Sequence, residues 1–133
     1  MSVLSEAVRA FIDAPRFAVL AVNRSDGAPQ LSVMWYELRG DELMMNTTPD
    51  RAKTANLRRD PRVSVCIEDG YRYITLYGTA HFHTDPEAAQ ADIARLAHLY
   101  QPAEQAERMI NDQFSKEARV TFTITIERVV AHL

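Results

Sequence analysis

The chain has one cysteine and four glycines in 133 residues, and each scarcity excludes something. A lone Cys66 rules out an internal disulfide and fits a reducing cytoplasm. Its neighbours Val65 and Ile67 mark it as a packed strand residue rather than a nucleophile. No glycines fall in G-x-G-x-x-G spacing, so a Gly-rich phosphate loop is absent, and no G-x-S-x-G hydrolase elbow occurs. No apolar run approaches the roughly 18 residues of a membrane span. The first residues lack the basic region and apolar core of a secretory leader, so a cytoplasmic location and no membrane partner are expected. A net charge of −3 argues against a nucleic-acid partner. Repeats, linkers and low-complexity tracts are likewise missing.

What is present reads as one ordinary globular domain over 1–133, with 47% apolar and 25% charged residues. Ser5 to Asp13 has the spacing of a short amphipathic helix ended before Pro15. Strands are expected over Phe17–Val22, Gln30–Leu38, Glu42–Thr47, Arg62–Glu68, Tyr71–Thr84 and Val120–His132. Ser25-Asp26-Gly27, Arg39-Gly40-Asp41 and Asp69-Gly70 supply the turns. Helices are expected over Thr48–Arg59, Pro86–Tyr100 and Glu104–Phe114. Six mostly hairpin-linked strands with peripheral helices imply a small antiparallel barrel.

The richest stretch follows the third strand: Thr47-Thr48-Pro49-Asp50-Arg51-Ala52-Lys53-Thr54-Ala55-Asn56-Leu57-Arg58-Arg59-Asp60-Pro61. Thr48 has the chemistry of an N-cap, and Pro49 would then fall at the first helical position, where a missing N–H costs nothing. A helix start offers free N–H groups and partial positive charge to an anion. Two hydroxyls and the cations Arg51 and Lys53 add to it. The competing reading is a solvated face, since cations near a helix start oppose the macrodipole. At about 100° per residue, however, Lys53 and Thr54 flank Leu57, the one large apolar residue, so Lys53 leans toward the buried side. Five basic residues against one acid between Arg51 and Arg62 make a local positive patch, suited to a small anionic ligand.

On the fifth strand, Ile74, Leu76, Ala80 and Phe82 share the core face. Tyr71, Tyr73, Thr75, Tyr77, Thr79, His81 and His83 share the other. Three tyrosines away from the core are a large amphipathic surface, read either as a subunit interface or as a stacking surface for a planar ligand. His81 and His83 share a face, but no third ligand follows at diagnostic spacing, and no metal is expected. His98, His132, Glu37 and Glu68 have no evident partners in the sequence. The residues therefore point to a ligand site without a protein-borne catalytic apparatus, and no catalytic residue is assigned.

The segment R-x-K-x-x-N-L-x-x-D-P, here Arg51 to Pro61, resembles the split β-barrel flavin and deazaflavin oxidoreductases. That superfamily includes pyridoxamine 5′-phosphate oxidase, and the match is nearest to its coenzyme F420-dependent branch. Gly27-Ala28-Pro29-Gln30-Leu31-Ser32, Gly78-Thr79-Ala80 and Ile126-Glu127-Arg128-Val129 extend the likeness over nearly the whole chain. The resemblance implies a homodimer with a cofactor at the subunit interface. It assigns Thr47, Thr48, Arg51 and Lys53 to the cofactor phosphate and acidic tail, with the Ala52 backbone beside them. Gln30 and Ser32 would lie along the tricyclic ring, with Tyr71 and Tyr73 reaching it from the second subunit.

Departures from the pattern matter too. Pyridoxamine phosphate oxidases carry a flavin-phosphate arginine where Ser32 stands. Their R-x-V-R-I-E-G strand reads Arg72-Tyr73-Ile74-Thr75-Leu76-Tyr77-Gly78, and their R-L-x-P segment is absent. Pyridoxamine 5′-phosphate oxidation is therefore not expected. The implied function is an F420-dependent reductase passing a hydride to an electron-poor small molecule. Arg58 and Arg59 would join Arg51 and Lys53 around the acidic tail, and Trp35 would line the acceptor pocket with the tyrosines. An FMN-dependent oxidoreductase and a non-catalytic flavin, deazaflavin or haem binder are the alternatives, the last drawing on His81 and His83.

Overall fold

A computed structural model describes residues 3–133. Its first helix, α1 (Glu6–Asp13), starts where Ser5 caps it: the Ser5 hydroxyl accepts from the Val8 N–H at 3.2 Å. Val8, Phe11 and Ile12 then face the core. The chain continues through β1 (Ala18–Asn23), β2 (Pro29–Met34), β3 (Glu37–Arg39) and β4 (Glu42–Thr47) to α2 (Ala52–Arg59). After β5 (Arg62–Asp69) and β6 (Arg72–His83) come α3 (Pro86–Tyr100) and α4 (Ala103–Asp112). A short 3-10 turn (Phe114–Lys116) leads into β7 (Val120–His132).

These are seven strands, not six, in one antiparallel sheet ordered β2-β1-β5-β6-β7-β4-β3. The extra one arises because the strand expected over Gln30–Leu38 breaks at Trp35-Tyr36. The Tyr36 hydroxyl donates to the Ile12 carbonyl at the end of α1, 2.9 Å away. Its N–H donates to the Tyr100 hydroxyl at 3.2 Å, and that hydroxyl donates to the Arg16 carbonyl at 2.7 Å. Burial raises the pKa of both phenols, that of Tyr100 to about 12, so both remain donors. The anchored residues turn the chain from one sheet edge to the other. Met34 of β2 and Glu37 of β3 are three Cα steps apart, at most about 11 Å. The sheet must therefore curl strongly, although no ladder joins β2 to β3 among the described residues. A curled, unclosed seven-stranded sheet stands where a six-stranded antiparallel split barrel was expected.

The curl wraps Leu20, Leu43, Met45, Val65, Ile67, Ile74, Leu76, Phe122 and Ile124, with Leu57 of α2 among them. A second core lies on the opposite face of β4, where Met44 packs with Ile93, Leu96, Ala97, Ala106 and Phe114. The threonine face of β7 is buried here as well. The Thr121 hydroxyl donates to Asp92 at 2.7 Å, and the Thr123 hydroxyl lies 2.8 Å from His83 Nε2. Helices thus cover one flank of the sheet. On the outer face of β2-β1-β5-β6-β7 the cross-strand rows run Val33–Val19–Cys66–Thr75–Val130 and Leu31–Ala21–Ser64–Tyr77–Arg128. Leu31 and Val33 there are 64% and 66% exposed.

Candidate functional site

The turn after β4 is built differently from the sequence expectation. Helix α2 starts at Ala52, its N-cap is Arg51 without a side-chain bond, and Thr48 caps nothing. Thr48 to Arg51 form a turn closed by the Arg51 N–H on the Thr48 carbonyl at 3.3 Å. Proline's fixed φ suits position two of such a turn as well as a first helical position, and the turn wins here. The Thr48 hydroxyl instead bonds the Asp50 carboxylate, which holds that acid below the usual carboxylate range. Thr54 donates to the Thr48 carbonyl at 2.8 Å and pins the turn to the helix. The N–H groups of Ala52 and Lys53 still open the helix, so the anion-favouring end is preserved three residues later.

Beside this turn is a cleft of about 320 Å³. The structure brings Thr47, Thr48, Arg51 and Lys53 together in its lining, with Trp35, Asn46 and Arg119. Lys53 is half-buried, while Thr54 and Leu57 beside it are fully buried, as the helical spacing required. Its ammonium rests 3.0 Å from the Met34 sulfur, a weak acceptor. Burial first, then Arg51 and Arg119, lowers its pKa. No carboxylate pairs with it among the described residues.

Arg119 is the residue that the sequence reading missed. Its Nε donates to Asn46 Oδ1 at 2.8 Å, and its NH1 meets Glu117 at 2.9 Å. The guanidinium also lies 5.0 Å from the centre of the Phe114 ring. Burial lowers its pKa, opposed by Glu117. Asn46 is itself fixed, donating to the Ala89 carbonyl at 2.9 Å and to Thr121 at 3.1 Å. A signal did exist: the alternation of Thr121, Thr123 and Thr125 runs back to Arg119 on the same face.

Other expected members go elsewhere. Arg58 packs over Phe82, 4.2 Å from the ring centre, and Arg59 bonds Asn56 at 2.8 Å and the Asn23 carbonyl. Neither lines the cleft, whereas Arg119 does. Gln30 and Ser32 lie on β2 in one row with Met34, on the sheet face opposite Leu31 and Val33. Asn56, one turn after Lys53, donates to Gln30 at 2.7 Å. Tyr71 and Tyr73, expected to act from a second subunit, do not line this chain's own cleft. Tyr73 stands three strands from β2, roughly 14 Å across the ladder, and on the outer face. It stacks on His132 at 5.0 Å, while Tyr71 is 95% exposed. His98 and Glu37, without evident partners in the sequence, pair with Glu107 at 2.9 Å and with Arg95 at 2.6 Å.

Trp35 closes one side of the cleft. It stacks on Tyr100 with centroids 5.4 Å apart and meets Phe114 edge-on at 6.3 Å. The result is an aromatic wall facing a cationic one. A larger groove of about 960 Å³ opens at the β1–β2 turn, lined by Arg24, Arg59, Arg62 and Glu127 among others. There the Arg62 charge is met by Asp60 at 2.8 Å and the Thr79 hydroxyl by Glu127 at 2.5 Å. Volume alone does not make it the anion site.

Among the described residues no helix is long and apolar enough to cross a membrane. Similar solved structures share the whole fold. An F420 reductase is 25% identical at a TM-score of 0.77, with 96% of this chain and 98% of that one covered. The conserved hypothetical protein Rv2991 from Mycobacterium tuberculosis is 31% identical at 0.78, covering 96% and 84%. General stress protein 26 from Bacillus anthracis, 18% identical at 0.69 with 95% and 91% covered, shares the fold alone. The family model described as pyridoxamine 5′-phosphate oxidase matches residues 4–132. With that span matched, the chain belongs to the pyridoxamine 5′-phosphate oxidase family.

Proposed function

We propose that the protein is a coenzyme F420-dependent reductase, passing a hydride from the reduced deazaflavin to an electron-poor small molecule. One observation carries the reading: Arg51, Lys53 and Arg119 converge on one cleft, where the Lys53 ammonium meets a thioether and two cations and, among the described residues, no carboxylate. A half-buried ammonium so placed is costly until an anion arrives. The cofactor's phosphate is such an anion, and the N–H groups opening α2 add donors for it. The likeness to an F420 reductase supports the choice. So does Ser32, which cannot supply an arginine-type contact to an FMN phosphate.

When bound, the deazaflavin would supply the hydride chemistry. This chain's residues bind, orient and exclude water. Arg51, Lys53 and Arg119 hold the anionic end, and Asn46 and Glu117 aim the Arg119 fork. Trp35, fixed between Tyr100 and Phe114, offers a rigid apolar wall. Gln30 and Ser32 are proposed along the ring.

The second partner in this reading is another copy of the chain. Tyr71 and Tyr73 lie too far from their own cleft to serve it, and they border an outer face carrying exposed Leu31, Val33, Tyr77 and Val130. A homodimer through that face would cover it and bring those tyrosines to the partner's cofactor. FMN is the second reading, favoured by Arg58 and Arg59 turning away from a cleft that then fits a single phosphate. Titrating the protein with F420, FMN and haem, followed by absorption, separates the readings. F420 should bind most tightly, and FMN or haem binding more tightly would overturn the proposal.

A further inference from the structure

Helix α2 and the edge strand β2 are braced at two points. Lys53 and Asn56, three apart and so on one helical face, reach Met34 and Gln30, four apart on one strand face. The second brace has a direction that chemistry alone dictates. A guanidinium only donates, so the Asn56 atom 2.8 Å from Arg59 NH1 must be its carbonyl oxygen. The other Asn56 terminus is therefore its NH₂, and the Gln30 atom it reaches at 2.7 Å must be an acceptor. That leaves the Gln30 NH₂ group turned the other way. It makes no hydrogen bond to any of the described residues. No buried side-chain polar atom there lacks a partner either, so this nitrogen is open to a ligand. Arg59 is itself held by the Asn23 carbonyl at the end of β1, which fixes the start of the chain of bonds.

We infer that Asn56 and Arg59 are positioning residues that lock Gln30 as a hydrogen-bond donor toward a carbonyl or imine edge of a planar heterocycle bound along β2. The inference rests on the proposed cofactor reading, in which that edge is the carbonyl-bearing pyrimidine ring of the deazaflavin. It goes beyond that reading by saying which polarity the site demands and what enforces it. Gln30 held the opposite way would present an oxygen to an oxygen, and an unfixed Gln30 would have to be ordered at each binding event.

A double-mutant cycle tests the relay. Asn56→Asp removes the NH₂ donor, so Gln30 must turn its own NH₂ toward the new carboxylate and present its oxygen to the ligand. F420 affinity should fall at least tenfold in Asn56→Asp. In a Gln30→Ala background the same change should cost less than threefold, which separates amide reversal from the added negative charge. Equal losses in both backgrounds would overturn the inference. A ligand-free readout stands beside it: Asn56 side-chain amide protons should exchange with solvent more slowly than those of Gln30. The reverse order would also overturn it. If the parent protein binds neither F420 nor FMN, the cofactor reading fails, while the exchange measurement still decides the orientation of Gln30.

Discussion

At the scale of single residues, Lys53 carries the strongest demands. Its ammonium is half-buried among cations, and removing it should cost cofactor binding without harming the fold. Lys53→Ala is expected to lose roughly 1.5–3 kcal/mol of affinity, the range for a hydrogen bond to a charged group. Arg58→Ala should cost less, since Arg58 packs on Phe82 outside the cleft. Titration calorimetry on both variants checks the pair, and the opposite order would move the anion site. The lowered pKa of Lys53 also has a definite sign. The unfolded chain keeps this proton to higher pH than the folded one. Stability of the ligand-free protein should thus rise with pH between the lowered value and 10.5, the ordinary one. Below that window the charged form costs stability, so Lys53→Met should raise the ligand-free Tm while weakening binding. A thermal-unfolding series against pH reads both effects. Conversely, an anion stabilises the ammonium, so affinity should fall as pH rises through the same window. Arg119 differs, because its loss strands the buried Asn46 oxygen. Arg119→Ala should therefore destabilise the fold by about 1–3 kcal/mol as well as weaken binding.

At the scale of elements, what was legible depended on whether the deciding contact was local. Helix α3 begins and ends where read, because Asp85 caps it and Pro86 opens it, and both act within a few residues. The β6 faces were legible from period two alone, with Ile74, Leu76 and Ala80 buried. The break at Trp35-Tyr36 was not, since Tyr36 is turned by carbonyls of Ile12 and Ala14 more than twenty positions earlier. Thr48 misled because Pro49 suits a turn as well as a helix start, and nothing in the sequence decides between them. Arg119 required knowing that α3 and α4 cover β7. Gly78 gives an element-scale test. A Cβ there would lie 2.1 Å from the Thr125 carbonyl oxygen, at the register shift between β6 and β7. The clash is with backbone, which cannot swing aside. Gly78→Ala should cost about 3 kcal/mol, the upper end for overpacking, measured by denaturant unfolding. A change below about 1 kcal/mol would mean that the two strands separate more easily than their ladder implies.

At the scale of the whole molecule, the exposed rows of β2, β1, β5, β6 and β7 and the distance of Tyr71 and Tyr73 from the cleft lead to one expectation. Two chains should associate through that face. Sedimentation at micromolar concentration should show a two-subunit species, and Val33→Glu, which puts a charge on a 66% exposed apolar position, should shift it toward monomer. A clean monomer of the parent would remove the second-subunit tyrosines from the site. The cleft of Arg51, Lys53 and Arg119 is proposed to receive the anionic end of a deazaflavin. The most direct measurement of this is a competitive titration of F420 against FMN at rising salt. F420 should bind more tightly at low ionic strength, with its advantage shrinking as salt screens the exposed charges. Tighter binding of FMN at every salt concentration, or F420 affinity indifferent to Lys53→Ala, would mean that the cleft does not hold the deazaflavin's anionic end.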